Sequence, residues 1–219
     1  APWAKKSDSR PSEDAQQIRP ESPAASEEPP SEEPLQPSPP ETQPSVSQEV
    51  FLQGYQAFQK KDWPAAMTAF AQALQQEVTI LTDYNRYYLA MVHLNAGRPA
   101  EAGSTLQDLL QDYPTTVWQS EAALALANLA FAENKWQQVI RLATQALRAA
   151  LATDATRNTA QLLIALATQR QGHVDKAYTH YQQLRSTLPR SSIGLTAKEN
   201  VAKLRISHPH RFSLETDRT

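Results

Sequence analysis

The residue types that do chemistry are few in this chain and widely scattered. Of its five histidines, His93, His173 and His180 stand far apart, and His208 and His210 flank Pro209. The last two have the spacing of a metal pair, but zinc takes three or four protein ligands, and no third or fourth lies beside them. Asp108 and Asp112 are one helical turn apart, the arrangement that paired acid–base carboxylates would need. Flanked by Gln107 and Gln111, they read as the solvated face of a helix. There is no cysteine, which excludes a disulfide framework, a thiol nucleophile and cysteine-ligated zinc. No glycine-rich phosphate loop, GxSxG elbow or HExxH pair occurs. The expectation is a chain with no catalytic residues, no metal and no cofactor.

The elements that would position any site divide into two parts. Eleven of the 16 prolines fall before Ser47, together with nine acidic and four basic residues, a net charge of about -5. The remaining 173 residues carry 17 basic and 14 acidic side chains, about +3. Neither part has a Lys/Arg run, so nucleic acid is not an expected partner. No stretch of 18 apolar residues occurs, so no membrane span is expected. Runs such as Glu27-Glu28-Pro29-Pro30 and Pro37-Ser38-Pro39-Pro40 have little to bury against the entropy of ordering, so residues 1–46 are expected to be a disordered Pro/Glu-rich linker. The chain begins Ala1-Pro2-Trp3 without Met, as after removal of a signal peptide or within a longer product.

From Ser47 the pattern becomes helical. Apolar residues recur three and four apart, as in Val50, Phe51, Tyr55, Phe58 and in Leu124, Ala127, Phe131. Breaks fall at Lys61-Asp62, Gly97-Arg98-Pro99, Glu133-Asn134-Lys135 and Gly172-His173, and near Pro114 and Pro189. About nine helices and no strands are expected: an all-α chain. The breaks align as a repeat, with Trp63, Pro99, Trp136 and Val174 spaced 36, 37 and 38 residues apart. Each unit has a small residue in its first helix (Gly54, Ala90, Ala127, Ala165) and another early in its second (Ala66, Ala102, Val139, Ala177). Helices approach to about 8–10 Å only where such residues face each other. Phe70, Leu106 and Tyr181 then pack onto the next unit, and Ala143 takes that place in the third. After four pairs over residues 47–190, a helix over 191–206 carries Leu195, Val201 and Leu204 as its apolar side. Such a helix caps the array with a polar outer face. Residues 207–219, broken by Pro209, are expected to fray.

This small–aromatic–small–large pattern resembles the tetratricopeptide repeat (TPR) family. The resemblance implies a superhelix, an alpha solenoid whose concave groove is lined by the first helix of each pair. Residues at the second, fifth, ninth, twelfth and thirteenth positions of that helix would face the groove. Carried onto this sequence, these positions include Phe51, Tyr55, Tyr84, Tyr87, Asn95, Asn128 and Arg170. Tyr84 and Tyr87 would stack on a ligand, while Asn95, Asn128 and Arg170 would hydrogen-bond a peptide backbone. Pro99 in place of the turn aromatic, and Ala143 in place of the large residue, make the second and third units irregular.

A narrower resemblance covers residues 50–150. Leu81-Thr82-Asp83-Tyr84-Asn85-Arg86-Tyr87-Tyr88-Leu89-Ala90 and Tyr113-Pro114-Thr115-Thr116-Val117-Trp118 are similar to the helical N-terminal region of bacterial soluble lytic transglycosylases. That family's separate catalytic domain, with its Glu-Ser motif, is not matched here. The resemblance implies a non-catalytic scaffold, exported to the periplasm, with a protein or peptide partner and peptidoglycan as a second candidate. The alternative is a stand-alone periplasmic adaptor in cell division or outer-membrane assembly.

Overall fold

The computed structural model describes residues 45–75 and 79–212. The expected linker therefore lies outside the described residues, apart from its last two positions. These two are not linker. Ser45 closes a capping box, its hydroxyl accepting from the Gln48 amide at 3.4 Å while its own amide donates to Gln48 Oε1 at 2.9 Å. The first helix, α1, accordingly runs Val46–Gln59. There follow α2 (Trp63–Gln75), α3 (Thr82–Asn95), α4 (Pro99–Asp112), α5 (Gln119–Ala132), α6 (Trp136–Arg148), α7 (Asp154–Arg170), α8 (Val174–Thr187) and α9 (Ser192–Ser207). Among the described residues there is no strand.

The turns inside the pairs share one device. Lys61, Gly97, Asn134 and Gly172 all have positive φ, between 59° and 82°. Each ends a first helix in the left-handed conformation, and the amide after it closes back on a carbonyl of the last turn, Asp62 on Ala57, Arg98 on His93, Lys135 on Ala130 and His173 on Thr168, as the chain reverses. Thr153 and Ser191 cap the starts of α7 and α9, accepting from Thr156 N at 3.1 Å and Gly194 N at 3.0 Å. Between α6 and α7 the Arg157 guanidinium donates to the carbonyls of Leu147, Ala149 and Ala152, holding an otherwise open connection.

Each helix packs on its neighbours in sequence, and the first helices of successive pairs also touch, α1 on α3, α5 on α7, and α7 on α9. No comparable contact joins successive second helices among the described residues, so the first helices line the inner side of the curve. The eight small residues of the repeat are all buried, and seven of them have no exposed surface at all. At Gly54 a Cβ would lie 2.8 Å from the Phe70 ring.

The C-terminal end differs from expectation in two respects. Leu195 is 55% exposed and does not join the buried side of α9, which is formed by Gly194, Ala197, Val201 and Leu204. Gly194 sets this register. A side chain there would strike the carbonyl of Leu188, so only glycine lets α9 seat. Leu195, about 100° further round the helix, is left facing out. Nor does the chain fray at Pro209. Phe212 is 8% exposed and stacks on Tyr178 with ring centroids 4.1 Å apart, because one large ring has enough apolar area to bring the chain back.

Candidate functional site: an aromatic wall on the inner side

Four of the seven residues expected in the groove come together. Phe51 stacks on Tyr55 at 6.1 Å and meets Tyr84 edge-on at 6.3 Å. Tyr84 meets Trp118 at 5.4 Å, and Tyr87 lies parallel to Trp118 at 4.1 Å with 6° between the planes. The first helices α1 and α3 supply the tyrosines and Phe51, one turn apart on one face of each. All four side chains are half-buried, so they both pack and present surface.

Two members of the wall were not among the expected groove residues. Tyr88 is its hub, within 6 Å of Phe51, Tyr55, Phe58, Phe70, Tyr87 and Trp118. Groove positions borrowed from a repeat pattern pass over Tyr88, which faces the preceding pair, α1 and α2. The adjacent tyrosines Tyr87 and Tyr88 were the available signal. Trp118 comes from the α4–α5 connection, not from a helix face. It is placed by Thr116, whose hydroxyl donates to Asp83 Oδ2 at 2.7 Å and ties the connection to the start of α3. Its indole Nε1 is buried without a hydrogen-bond partner.

Two phenols of the wall hold their protons more tightly than an ordinary tyrosine does. Burial pushes the Tyr87 phenol up to about 12, and Glu121 and Tyr88 add to that shift. Burial also raises Tyr88, with Tyr55 and Tyr84 contributing. Glu121 is held by the hydroxyls of Ser120 at 2.6 Å and Thr156 at 3.5 Å, which links α5 to α7. The surface thus offers ring faces, ring edges and phenolic O–H groups: binding chemistry, with stacking and neutral hydrogen bonds.

Asn95, Asn128 and Arg170 stand apart from the wall. They lie in the last turn or so of α3, α5 and α7, each exposed. Asn95 and Asn128 repeat one arrangement, each side-chain amide donating to the carbonyl four residues back, at 2.7 Å to Met91 and 3.1 Å to Leu124. Arg170 lies over the Trp136 ring, 5.9 Å from its centroid, and Trp136 meets Phe131 at 5.2 Å. The seven residues therefore form an aromatic block in the first two pairs and a separate row of polar groups at one rim.

Asp112 is not simply solvated. Arg86 pairs with its carboxylate, donates to the Asp108 carbonyl at 3.2 Å and lies over the Tyr113 ring. Among the described residues no three His, Cys, Asp or Glu side chains meet in a way that could hold a metal. Nor, among those residues, is any helix long and apolar enough to cross a membrane.

Comparison with known proteins agrees with this architecture. The family profile described as tetratricopeptide repeat matches residues 84–116, the span of α3, α4 and the connection to Thr116. No curated protein sequence matches the chain. A crystal structure of MamA is 19% identical, covering 71% of this chain and 84% of that one with a TM-score of 0.59. PilF from Pseudomonas aeruginosa is 17% identical, covering 70% and 66%, TM-score 0.59. A tetratricopeptide repeat protein from Parabacteroides merdae is 13% identical, covering 74% and 61%, TM-score 0.62. The described part of this chain has the tetratricopeptide-type helical-repeat fold.

Proposed function

We propose that this chain is a binding scaffold and not an enzyme, and that its inner surface takes an extended segment of a protein partner. The observation that carries the reading is the half-buried aromatic wall of Phe51, Tyr55, Tyr84 and Tyr87, continued by Trp118. Rings so placed give a peptide side chain a large apolar contact at little entropic cost, while Asn95, Asn128 and Arg170 sit where its backbone would pass. A photo-crosslinking residue placed at Asn95, Asn128 or Arg170 should trap a partner. The same residue at Glu101 or Arg141, exposed on second helices, should not. Equal trapping from both sets would sink the groove assignment.

The location we propose is the bacterial periplasm, with this chain as the scaffold part of a lytic transglycosylase-like protein. The support is the resemblance of the Asp83–Ala90 and Tyr113–Trp118 segments. These two segments meet in the structure, through Asp83 with Thr116 and Tyr87 with Trp118. Peptidoglycan would then be a second ligand of the scaffold. Co-sedimentation with purified sacculi tests this, since a chain that stays in the supernatant has no such affinity. The stand-alone adaptor in division or outer-membrane assembly is the alternative, and cell fractionation that finds the native protein in the cytosol would remove both.

A further inference from the structure

The outer face of α9 carries Lys198, Glu199 and Lys203, and between these charges runs an apolar stripe. Leu195 is 55% exposed and Ile206 is 81% exposed. With Glu199 and the exposed Ala202 between them, they are spaced four, three and four residues apart, which is one stripe along one side of the helix. The stripe carries one charge, and Lys203 beside it neutralises that charge, bonding Glu199 Oε1 at 2.7 Å. The helix is rigidly seated, with Gly194 against the Leu188 carbonyl and Val201 and Leu204 buried beneath.

The order along this stripe is apolar, acid, small, apolar, with the base Lys203 at its side, and a reversed copy sets apolar against apolar and acid against small. A second copy of α9 laid antiparallel across a two-fold axis between Asn200 and Val201 puts Leu195 against Ile206 of the copy, and Ile206 against Leu195. It sets Glu199 in the layer of the copy's Ala202, next to its Lys203. The small residue at the centre lets the two helices approach closely, and the carboxylate keeps a cation on each side of the contact. An isologous two-fold contact requires this self-complementarity. We propose that the outer face of α9 is a homodimer surface, its occupant a second copy of this chain. The contact is one helix per protomer, about 24 Å long, so the dimer is weak and reversible.

Sedimentation velocity on the whole chain from about 1 µM to about 1 mM tests this. The wild type should shift from monomer to dimer within that range. Leu195→Glu and Ile206→Glu should each weaken association about tenfold or more, with an unchanged circular dichroism spectrum because both side chains already face solvent. The charge variants give the sharper test. Glu199→Lys alone puts lysines against lysines, and Lys203→Glu alone puts glutamates against glutamates, so each should stay monomeric. An equimolar mixture of the two should recover the dimer. A wild type that remains monomeric throughout overturns the proposal. So does undiminished association of the Leu195→Glu variant, or a mixture that stays monomeric.

Discussion

The first and third pairs of this molecule solve the same packing problem with opposite materials. Around α1, α2 and α3 the space between helices is filled by rings, with Phe51, Tyr55, Phe58 and Trp63 meeting their neighbours edge to face and Phe70 stacked on Tyr88. Around α5, α6 and α7 it is filled by backbone brought close, over Ala122, Ala123, Ala127, Ala130, Ala143, Ala146 and Ala160, none more than 3% exposed. A ring is longer than a methyl, so Phe51, Tyr55, Phe58, Trp63 and Tyr88 are only half-buried, while Phe70 stays wholly inside. An alanine methyl ends inside the contact. The aromatic pairs therefore present surface made of the same side chains that hold them together, whereas the alanine pairs present residues such as Asn128 that lie outside their core. Under the proposed function, stability and recognition are coupled at one end of the array and separable at the other.

Reciprocal substitutions should break this symmetry most strongly. Phe70→Ala removes a ring with no exposed surface from the aromatic side, at an expected cost of about 3–5 kcal/mol. Tyr88 and Phe51 lose a packing partner, so binding should weaken along with stability. Ala127→Leu adds bulk where the residue is fully buried, and overpacking should cost about 1–3 kcal/mol. Because repeat arrays couple mainly to nearest neighbours, amide hydrogen exchange should accelerate in α1–α3 for the first variant and in α5–α7 for the second. Exchange that accelerates uniformly in both would show one cooperative body and dissolve the contrast.

A smaller effect separates the two ends by pH. Tyr87, stacked on Trp118, is pushed up to about 12 from an ordinary phenol value of 10.0, burial being the main cause. The folded state holds this proton more tightly than the unfolded state does. The stabilisation is therefore fully present below pH 10 and is lost as pH rises from there through 12. Each unit corresponds to about 1.4 kcal/mol. Discounted for the half-buried position, the loss is on the order of 1–2 kcal/mol. Urea unfolding of the wild type should weaken across that window, and Tyr87→Phe should flatten the slope. An identical slope in the variant would assign the alkaline loss elsewhere, for which Tyr181, also raised by burial and donating to Gln169 Oε1 at 2.7 Å, is the clear candidate.

The sequence showed the contacts that are local and obligatory. Gly54, Ala66, Ala127 and Val139 could be read as buried, because two helices joined by a short turn can only meet closely where side chains are small. What periodicity does not specify is which neighbour a face meets. Tyr88 has the spacing of any residue on a helix face, and only the packing of α1 and α2 against it makes it a hub. Trp118 lay outside any helix period, and only the Thr116–Asp83 hydrogen bond brings it to Tyr87. Leu195 was misplaced because a terminal helix has one buried side instead of two, so the alternation that fixes register elsewhere is halved. There the carbonyl of Leu188 against Gly194 decides. Phe212 lacked any period at all, and one ring's affinity for another sets its place.

The turns inside the pairs belong to both ends equally, and so they calibrate the contrast. Lys61 in the aromatic half and Asn134 in the alanine half both have φ near 60°. Relieving a left-handed lysine should gain about 1–2 kcal/mol, offset by the roughly 0.5–1 kcal/mol that glycine's extra freedom costs in the unfolded chain. Lys61→Gly should therefore stabilise by about 0.5–1 kcal/mol, measured as a shift in the urea midpoint. Asn134→Gly should gain less, since asparagine tolerates this conformation. Gly172→Ala should lose by the same argument, because nothing lies within 4 Å of the added methyl and only its φ of +82° opposes it. If these changes scale with backbone angle alone, the two halves differ in their cores and not in their turns. If Lys61→Gly loses stability instead, the lysine side chain makes a contact in the aromatic half that has no counterpart at Asn134, and the difference between the halves extends to the turns.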